Sequence, residues 1–203
     1  MRYSLAIMAL LALSLGCSRT GGSSLTKAEK ALIDGSGPVM RVLTIADRKD
    51  SLFLRKACAD FSDRDLKTKR YQALAGKMVT TVTDPSQDGV GIAGPQVGLS
   101  RRIVAVQRFD KEGEPFEVYP NIRIESLSGD VVPGAEGCLS VPGLRGMVPR
   151  YTKVVISYKD ASTLRTVRDT VEGFTAVIFQ HETDHLDGIL YTDRADTLTA
   201  YSY

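Results

Sequence analysis

The sequence predicts an α+β fold, with mixed or antiparallel strands around a central helix that carries His181-Glu182-Thr183-Asp184-His185. Three observations lead there. Short apolar runs, some strictly alternating with polar residues, crowd into residues 102–171. Apolar residues at helical spacing fill two separate windows, 66–82 and 174–185. Strands and helices are segregated along the chain, which argues against repeated βαβ units. The 203 residues suit one domain with a single sizeable core. A net charge of +2 supplies no strongly basic face, so nucleic acid is not an expected partner.

The N-terminus differs from the rest. Arg2 is followed by the apolar run Leu5 to Leu15 and then by Gly16-Cys17. That run is too short to cross a bilayer comfortably as a helix and reads as an export signal ending at a small residue. Gly16-Cys17 resembles the lipobox of bacterial lipoproteins, with Ser14 where Leu is usual. Residues 1–17 are thus read as a signal peptide with a lipobox-like end, and Cys17 as a lipid anchor, the one expected contact with a membrane. Residues 18–39 are read as a tether and N-terminal arm, and residues 40–203 as a single catalytic domain. The expected location is the bacterial cell envelope, or the cytoplasm if the segment is not a working signal.

The elements follow in order. Residues 25–60 mix charge with short apolar pieces and read as a surface arm with one short strand near Val42 to Ile45. Ser62 or Asp63 is an N-cap. The stripe Leu66, Leu74, Met78 and Val82, widened by Tyr71, Ala75 and Val79, predicts a helix that stops before Asp84-Pro85. A Gly-rich loop comes next, then a buried strand over 102–107. Short strands are expected over 115–133, turning at Ser128-Gly129-Asp130, with further strands over 152–159 and 164–171. Phe174, Val177, Ile178, His181 and His185 form one face of the last helix, and Gly188 stands at its C-terminal stop. The chain ends soon after Gly188, which argues against a long C-terminal helix.

The chemistry sits on that helix. Histidines four residues apart lie one turn above each other, so His181 and His185 share a face and one divalent ion. Glu182 beside the first histidine reaches a water on that ion. A catalytic site needs a third protein ligand and an open position. Downstream there is no further histidine, and Asp187 points elsewhere on the helix. Upstream, Cys138 lies in the tight turn Glu136-Gly137-Cys138-Leu139-Ser140, and its thiolate would complete a Cys-His-His set suited to Fe(II), Ni(II) or Zn(II). The remaining cysteine, Cys58, reads as a small core hydrophobe. A Cys58–Cys138 disulfide in an oxidising compartment would destroy this site.

Three segments in this order resemble those of peptide deformylases: Gly89-Val90-Gly91-Ile92-Ala93-Gly94-Pro95-Gln96, then Glu136-Gly137-Cys138-Leu139-Ser140, then Gln180-His181-Glu182-Thr183-Asp184-His185-Leu186-Asp187-Gly188. The likeness covers roughly residues 40–195. It implies a monomeric hydrolase that removes the formyl group from N-formylmethionyl peptides, with one divalent metal, natively Fe(II), or Zn(II) or Ni(II). Water activated by the metal is the expected nucleophile, and Glu182 takes its proton and passes it to the leaving amine. By the same resemblance the Leu139 N–H and the Gln96 side chain stabilise the developing oxyanion. Val90, Phe174, Val177 and Ile178 form the methionine pocket, Gly91 offers backbone to the peptide, and Arg145 lies near the substrate. Glu136 and Arg150 match a buried ion pair that supports the cysteine turn.

Two features favour other readings at first sight. Gly89 to Gly94 spells G-x-G-x-x-G, but Pro95 and Gly98 stand where a dinucleotide-binding helix would run. A zinc peptidase shares H-E-x-x-H, yet it needs neither the Glu-Gly-Cys-Leu-Ser turn nor Gln96. An exported homologue that binds peptides without turnover would not need Glu182, which is intact.

Overall fold

In this computed structural model, which describes residues 22–201, the chain enters through helix α1 (Lys27–Gly35). The start is a capping box: the Glu29 N–H bonds the Thr26 hydroxyl, and the Glu29 carboxylate accepts from the Thr26 N–H at 2.7 Å. Leu25 and Ile33 are buried, and α1 packs on the later helix of residues Lys69–Val82. Residues 25–60 are therefore not a plain surface arm. A second helix, α2 (Arg48–Leu54), starts at Asp47, whose carboxylate accepts from the N–H groups of Lys49 and Asp50. The strand expected near Val42 to Ile45 is absent. That segment has no partner strand and lies instead between two loops, with the Leu43 N–H bonded to Gln96 O at 2.8 Å and the Ile45 N–H to Ser140 O at 2.9 Å.

The helix predicted over 66–82 is split. Ser62 caps the short α3 (Asp63–Leu66), and Thr68 then caps α4 (Lys69–Val82) through its hydroxyl. Two capping side chains, Ser62 and Thr68, are cheaper to satisfy as two starts than as one continuous helix. Leu66, Leu74, Met78 and Val82 are all buried, as the stripe requires, and the helix ends before Pro85.

Strands β1 (Gly91–Ala93), β2 (Ile103–Gln107) and β3 (Phe116–Pro120) form an antiparallel sheet in that order. A second sheet holds β4 (Arg123–Cys138), β5 (Val141–Lys159) and β6 (Thr166–Glu172), with β7 (Thr197–Ala200) paired to the start of β5. The turn expected at 128–130 is a bulge within β4: the register with β5 shifts between Ser128 and Val131, and Gly129 takes a φ of +77°. Helix α5 (Gly173–Leu186) packs against β1, β2 and β5, so it lies between the two sheets. Its buried side, with Ala176, Ile178, Phe179 and Leu186, meets Val104, Val106, Tyr119, Val154 and Ile156 in one apolar cluster. The fold is thus α+β, with antiparallel sheets around the helix that carries both histidines.

Helix α5 stops where glycine was expected to stop it. Gly188 has a φ of +75°, its N–H bonds His185 O at 3.2 Å, and the Ile189 N–H bonds Asp184 O at 3.0 Å. This pair of bonds satisfies two terminal carbonyls. Beyond it come a 3-10 turn, Tyr191–Asp193, and β7 rather than a long helix. The signal segment 1–17 and its Cys17 lie outside the described residues, and no helix among the described residues is long and apolar enough to cross a membrane.

Candidate metal centre

His181 and His185 project from one side of α5, their ring centroids 5.1 Å apart. The end of β4 and the tight turn into β5 bring Cys138 to the same point. Its Sγ lies 3.2 Å from His185 Nε2, and one donor atom from each of the three residues falls within 4.8 Å of the others. Cys138 and Cys58 are both free thiols, so the disulfide alternative is not formed. Cys58 is half-buried against the apolar cluster around α5.

The donor set suits a divalent ion on three counts. First, the Cys-His-His combination offers one soft and two intermediate donors. Second, His181 Nδ1 lies 2.8 Å from Glu136 Oε2, which orients the ring so that Nε2 is the atom a metal would take. Third, burial above all holds His185 well below its ordinary pKa, which favours the neutral, ligating imidazole. Asp187 and Asp193 point away, to Arg102 and Arg55 respectively.

A chain of ion pairs stands behind these candidate ligands. Arg150 donates to Glu136 Oε1 at 2.7 Å and Oε2 at 3.1 Å, and also to Asp184 Oδ2 at 2.6 Å. Arg194 grips the same Asp184 from the surface at 2.6 and 2.7 Å. Burial pushes the Glu136 carboxyl up, but His181 and Arg150 together outweigh it and hold the pKa below its ordinary value. Glu136 therefore stays a carboxylate beside His181.

Glu182 faces the other way, toward a cavity. It is only 4% exposed, and among the described residues its Oε2 has no hydrogen-bond partner. Burial raises its pKa to about 7. Strand β1 presses closely on it: a Cβ added at Gly91 would come within 2.6 Å of Glu182 Oε1. Gln96 lies in the 3-10 turn after β1, 1% exposed, with its Oε1 accepting from the Ala93 N–H at 2.7 Å. That bond aims the amide nitrogen toward Cys138 Sγ, 3.6 Å away. The Ser140 N–H also faces that sulfur, at 3.4 Å.

The cavity, of about 400 Å³, is bordered by Cys138, Leu139, His181, Glu182 and Gln96 on its inner side. Val90, Gly91, Arg145, Phe174, Val177 and Ile178 border it as well, so all six expected substrate contacts converge. Phe174 stands at the mouth, 57% exposed and tilted against Phe109 at 5.3 Å. His185, 1% exposed, lies behind this lining. Tyr201 was not anticipated from sequence: β7 carries it to the rim, where it stacks on the Arg145 guanidinium at 4.9 Å. The G-x-G-x-x-G segment is a loop, a three-residue strand and a 3-10 turn, which gives no helix N-terminus for a dinucleotide.

Comparison with known proteins bears on this site. Residues 39–201 match the family model described as polypeptide deformylase. A peptide deformylase of Leptospira biflexa is 34% identical over 157 residues, covering 74% of this chain and 86% of that protein. One from Desulforudis audaxviator is 39% identical over 161 residues, covering 78% of this chain and 97% of that protein. Among solved structures, the actinonin-bound class I type b peptide deformylase of Acinetobacter baumannii superposes with a TM-score of 0.67 at 34% identity, covering 78% of this chain and 99% of that one. The peptide deformylase of Thermotoga maritima gives 0.67 at 28% identity, covering 78% and 99%.

Proposed function

Because the chain belongs to the peptide deformylase family, we propose that it removes the formyl group from N-formylmethionyl peptides with Cys138, His181 and His185 as metal ligands and Glu182 as general base. It is a metal-dependent hydrolase of one divalent ion. The observation that supports these roles best is a juxtaposition. Three donor atoms within 4.8 Å of one another adjoin the buried Glu182, whose Oε2 has no partner among the described residues, and Cys138, His181 and Glu182 all border one cavity.

When bound, the ion supplies the Lewis acid that activates water and polarises the formyl carbonyl. The chain supplies the rest. Glu182, with a pKa raised to about 7, accepts a proton from the attacking water and returns it to the leaving amine. Gln96 Nε2, aimed by the Ala93 N–H bond, and the Leu139 N–H donate to the oxygen that gains negative charge. Val90, Val177, Ile178 and Phe174 take the methionine side chain, and Gly91 leaves the β1 backbone open to the peptide. All ligands and the base come from one chain, so we read the working unit as a monomer.

The proposed native ion is Fe(II), with Zn(II) and Ni(II) as the alternatives that metal analysis separates. The exported, lipid-anchored location rests on the N-terminal apolar run and Gly16-Cys17 alone. Mass spectrometry of the membrane fraction tests it: finding the chain only in the cytosol without lipid on Cys17 rejects it.

The decisive experiment measures metal content and formyl-methionyl-peptide hydrolysis on protein purified without oxygen, beside Glu182→Ala. One metal per chain with turnover lost in the variant supports the assignment. Metal with no turnover of any formyl peptide removes the activity, and no metal removes the ligand set.

A further inference from the structure

The sheet beside the active site carries an exposed apolar track. Over one stretch β4 and β5 pair in regular register, Val131 with Tyr151, Pro133 with Pro149 and Ala135 with Met147. Paired residues in an antiparallel sheet share a face, and alternate residues share it along each strand. All six of these side chains therefore lie on one face, and all six are exposed. On β5 the opposite face turns inward, with Gly146, Val148 and Arg150 buried, while the β4 residues Val132 and Gly134 paired with it are exposed. Exposure of large apolar side chains on this face is substantial, at 50% for Val131, 39% for Met147 and 37% for Tyr151.

The track opens into the cavity. Ala135 at its near end borders the cavity, as does Arg145, two residues before Met147 on the same face. The pairing of Arg145 with Thr199 and Met147 with Thr197 extends the face onto β7, whose continuation places Tyr201 over Arg145. Arg145 is the charged member of this stretch, and it sits at the cavity end. From Ala135 to Val131 is four residues of β4, about 13 Å at the usual rise.

We propose that this face binds the downstream part of the substrate, so that the enzyme prefers formylated peptides with apolar residues several positions after the methionine. The inference rests on the deformylase reading of the cavity and deepens it. Continuity with the cavity selects this occupant. A peptide leaving the site between Ala135 and Arg145 in extended form advances about 3.3–3.6 Å per residue, so roughly four more residues cover the track. The edge of β4 is a poorer route: Pro133 has no N–H to offer a further strand. The peptide therefore lies across the face, held by side-chain burial, which is non-directional and tolerant of sequence.

The test compares formyl-Met-Ala-Ser with two nine-residue extensions, one carrying leucines at alternate positions and one carrying serines there. Both extensions end in the same lysines for solubility. The wild-type protein should show kcat/KM about tenfold higher for the leucine peptide than for the serine peptide, through KM. In Val131→Ser/Met147→Ser/Tyr151→Ser that ratio should fall to about one. Fluorescence anisotropy with the same labelled peptides reads the preference without turnover, so loss of catalysis strikes the deformylase reading while this preference stands or falls by itself. Equal values for the two peptides in the wild type overturn the proposal. A preference that survives in the triple variant overturns it too. So does concentration-dependent dimerisation abolished by the variant, which would assign the face to a second copy.

Discussion

Glu136 Oε2 lies 2.8 Å from His181 Nδ1, while Arg150 holds the same carboxylate from its other side. This relation orients the imidazole before any ion arrives. Glu136→Gln removes the charge that fixes the His181 tautomer and leaves Arg150 with Asp184 alone. Metal affinity should fall about 10- to 100-fold, measured by competition with a chelator. Unchanged affinity would show that Glu136 serves only the turn.

Gln96 gives a sharper kinetic expectation. Its Oε1 is tied to the Ala93 N–H at 2.7 Å, so its amide nitrogen is pre-aimed beside Cys138. Gln96→Ala should lower kcat about 100- to 1000-fold with metal content retained. A change in KM alone would assign Gln96 to ground-state binding instead.

Gly91 tests how closely β1 and α5 must approach. A Cβ there meets Glu182 Oε1 at 2.6 Å and Ile178 Cγ2 at 2.8 Å. Neither neighbour sits on a free side chain: both belong to α5 under the cavity floor. Gly91→Ala should displace Glu182, the proposed base, and cost about 1–3 kcal/mol of stability. Turnover should drop at least about 100-fold, on the scale of a lost general base. Full activity with the fold intact would mean that β1 shifts without disturbing Glu182.

A pH dependence follows from the N-terminal helix. Arg101, 3% exposed, donates to both Glu29 oxygens at 2.7 Å. Burial pushes the Glu29 carboxyl up, but the bonds from Arg101 and Thr26 outweigh it and leave the folded pKa below the ordinary 4.5. A depressed folded value means the unfolded chain binds the proton first. The contribution of Glu29 is then fully present above pH 4.5 and fades as pH falls below that through the folded value. At pH 7 Glu29→Gln should cost about 1–2 kcal/mol, because Arg101 loses its charged partner but keeps its bonds to Ser23 O, Ser24 O and Asp60 O. Urea midpoints of wild type and variant should converge as pH is lowered from 5 toward 3; a constant gap would reject the linkage.

Much of the site was legible in the chain itself. His181-Glu182-Thr183-Asp184-His185 needs only helical geometry to align its donors, and Gly188 needs only its freedom at positive φ to end that helix. The stripe from Leu66 to Val82 marked its buried face for the same reason. These are local relations, decided within one or two turns. The capping box Thr26-x-x-Glu29 is equally local, but the sequence reading passes over it and takes the charge-rich segment for an arm.

Other features had no local signature. Val42 to Ile45 looks like a strand because its residues favour one, but a strand needs a partner, and only the folded chain shows two loops there instead. The bulge at Gly129 depends on the register of β5, which sets Lys153 opposite Ser128 and Tyr151 opposite Val131. Tyr201 reaches the cavity because β7 pairs with β5 more than 50 residues before it, and the exposed track exists because that pairing and the β4–β5 register align six separate side chains. The sequence by itself determined the chemistry, through donors fixed by helical periodicity and a turn. Tertiary structure alone decided which surfaces meet that chemistry, because strand register is set by long-range pairing and burial rather than by neighbouring residues.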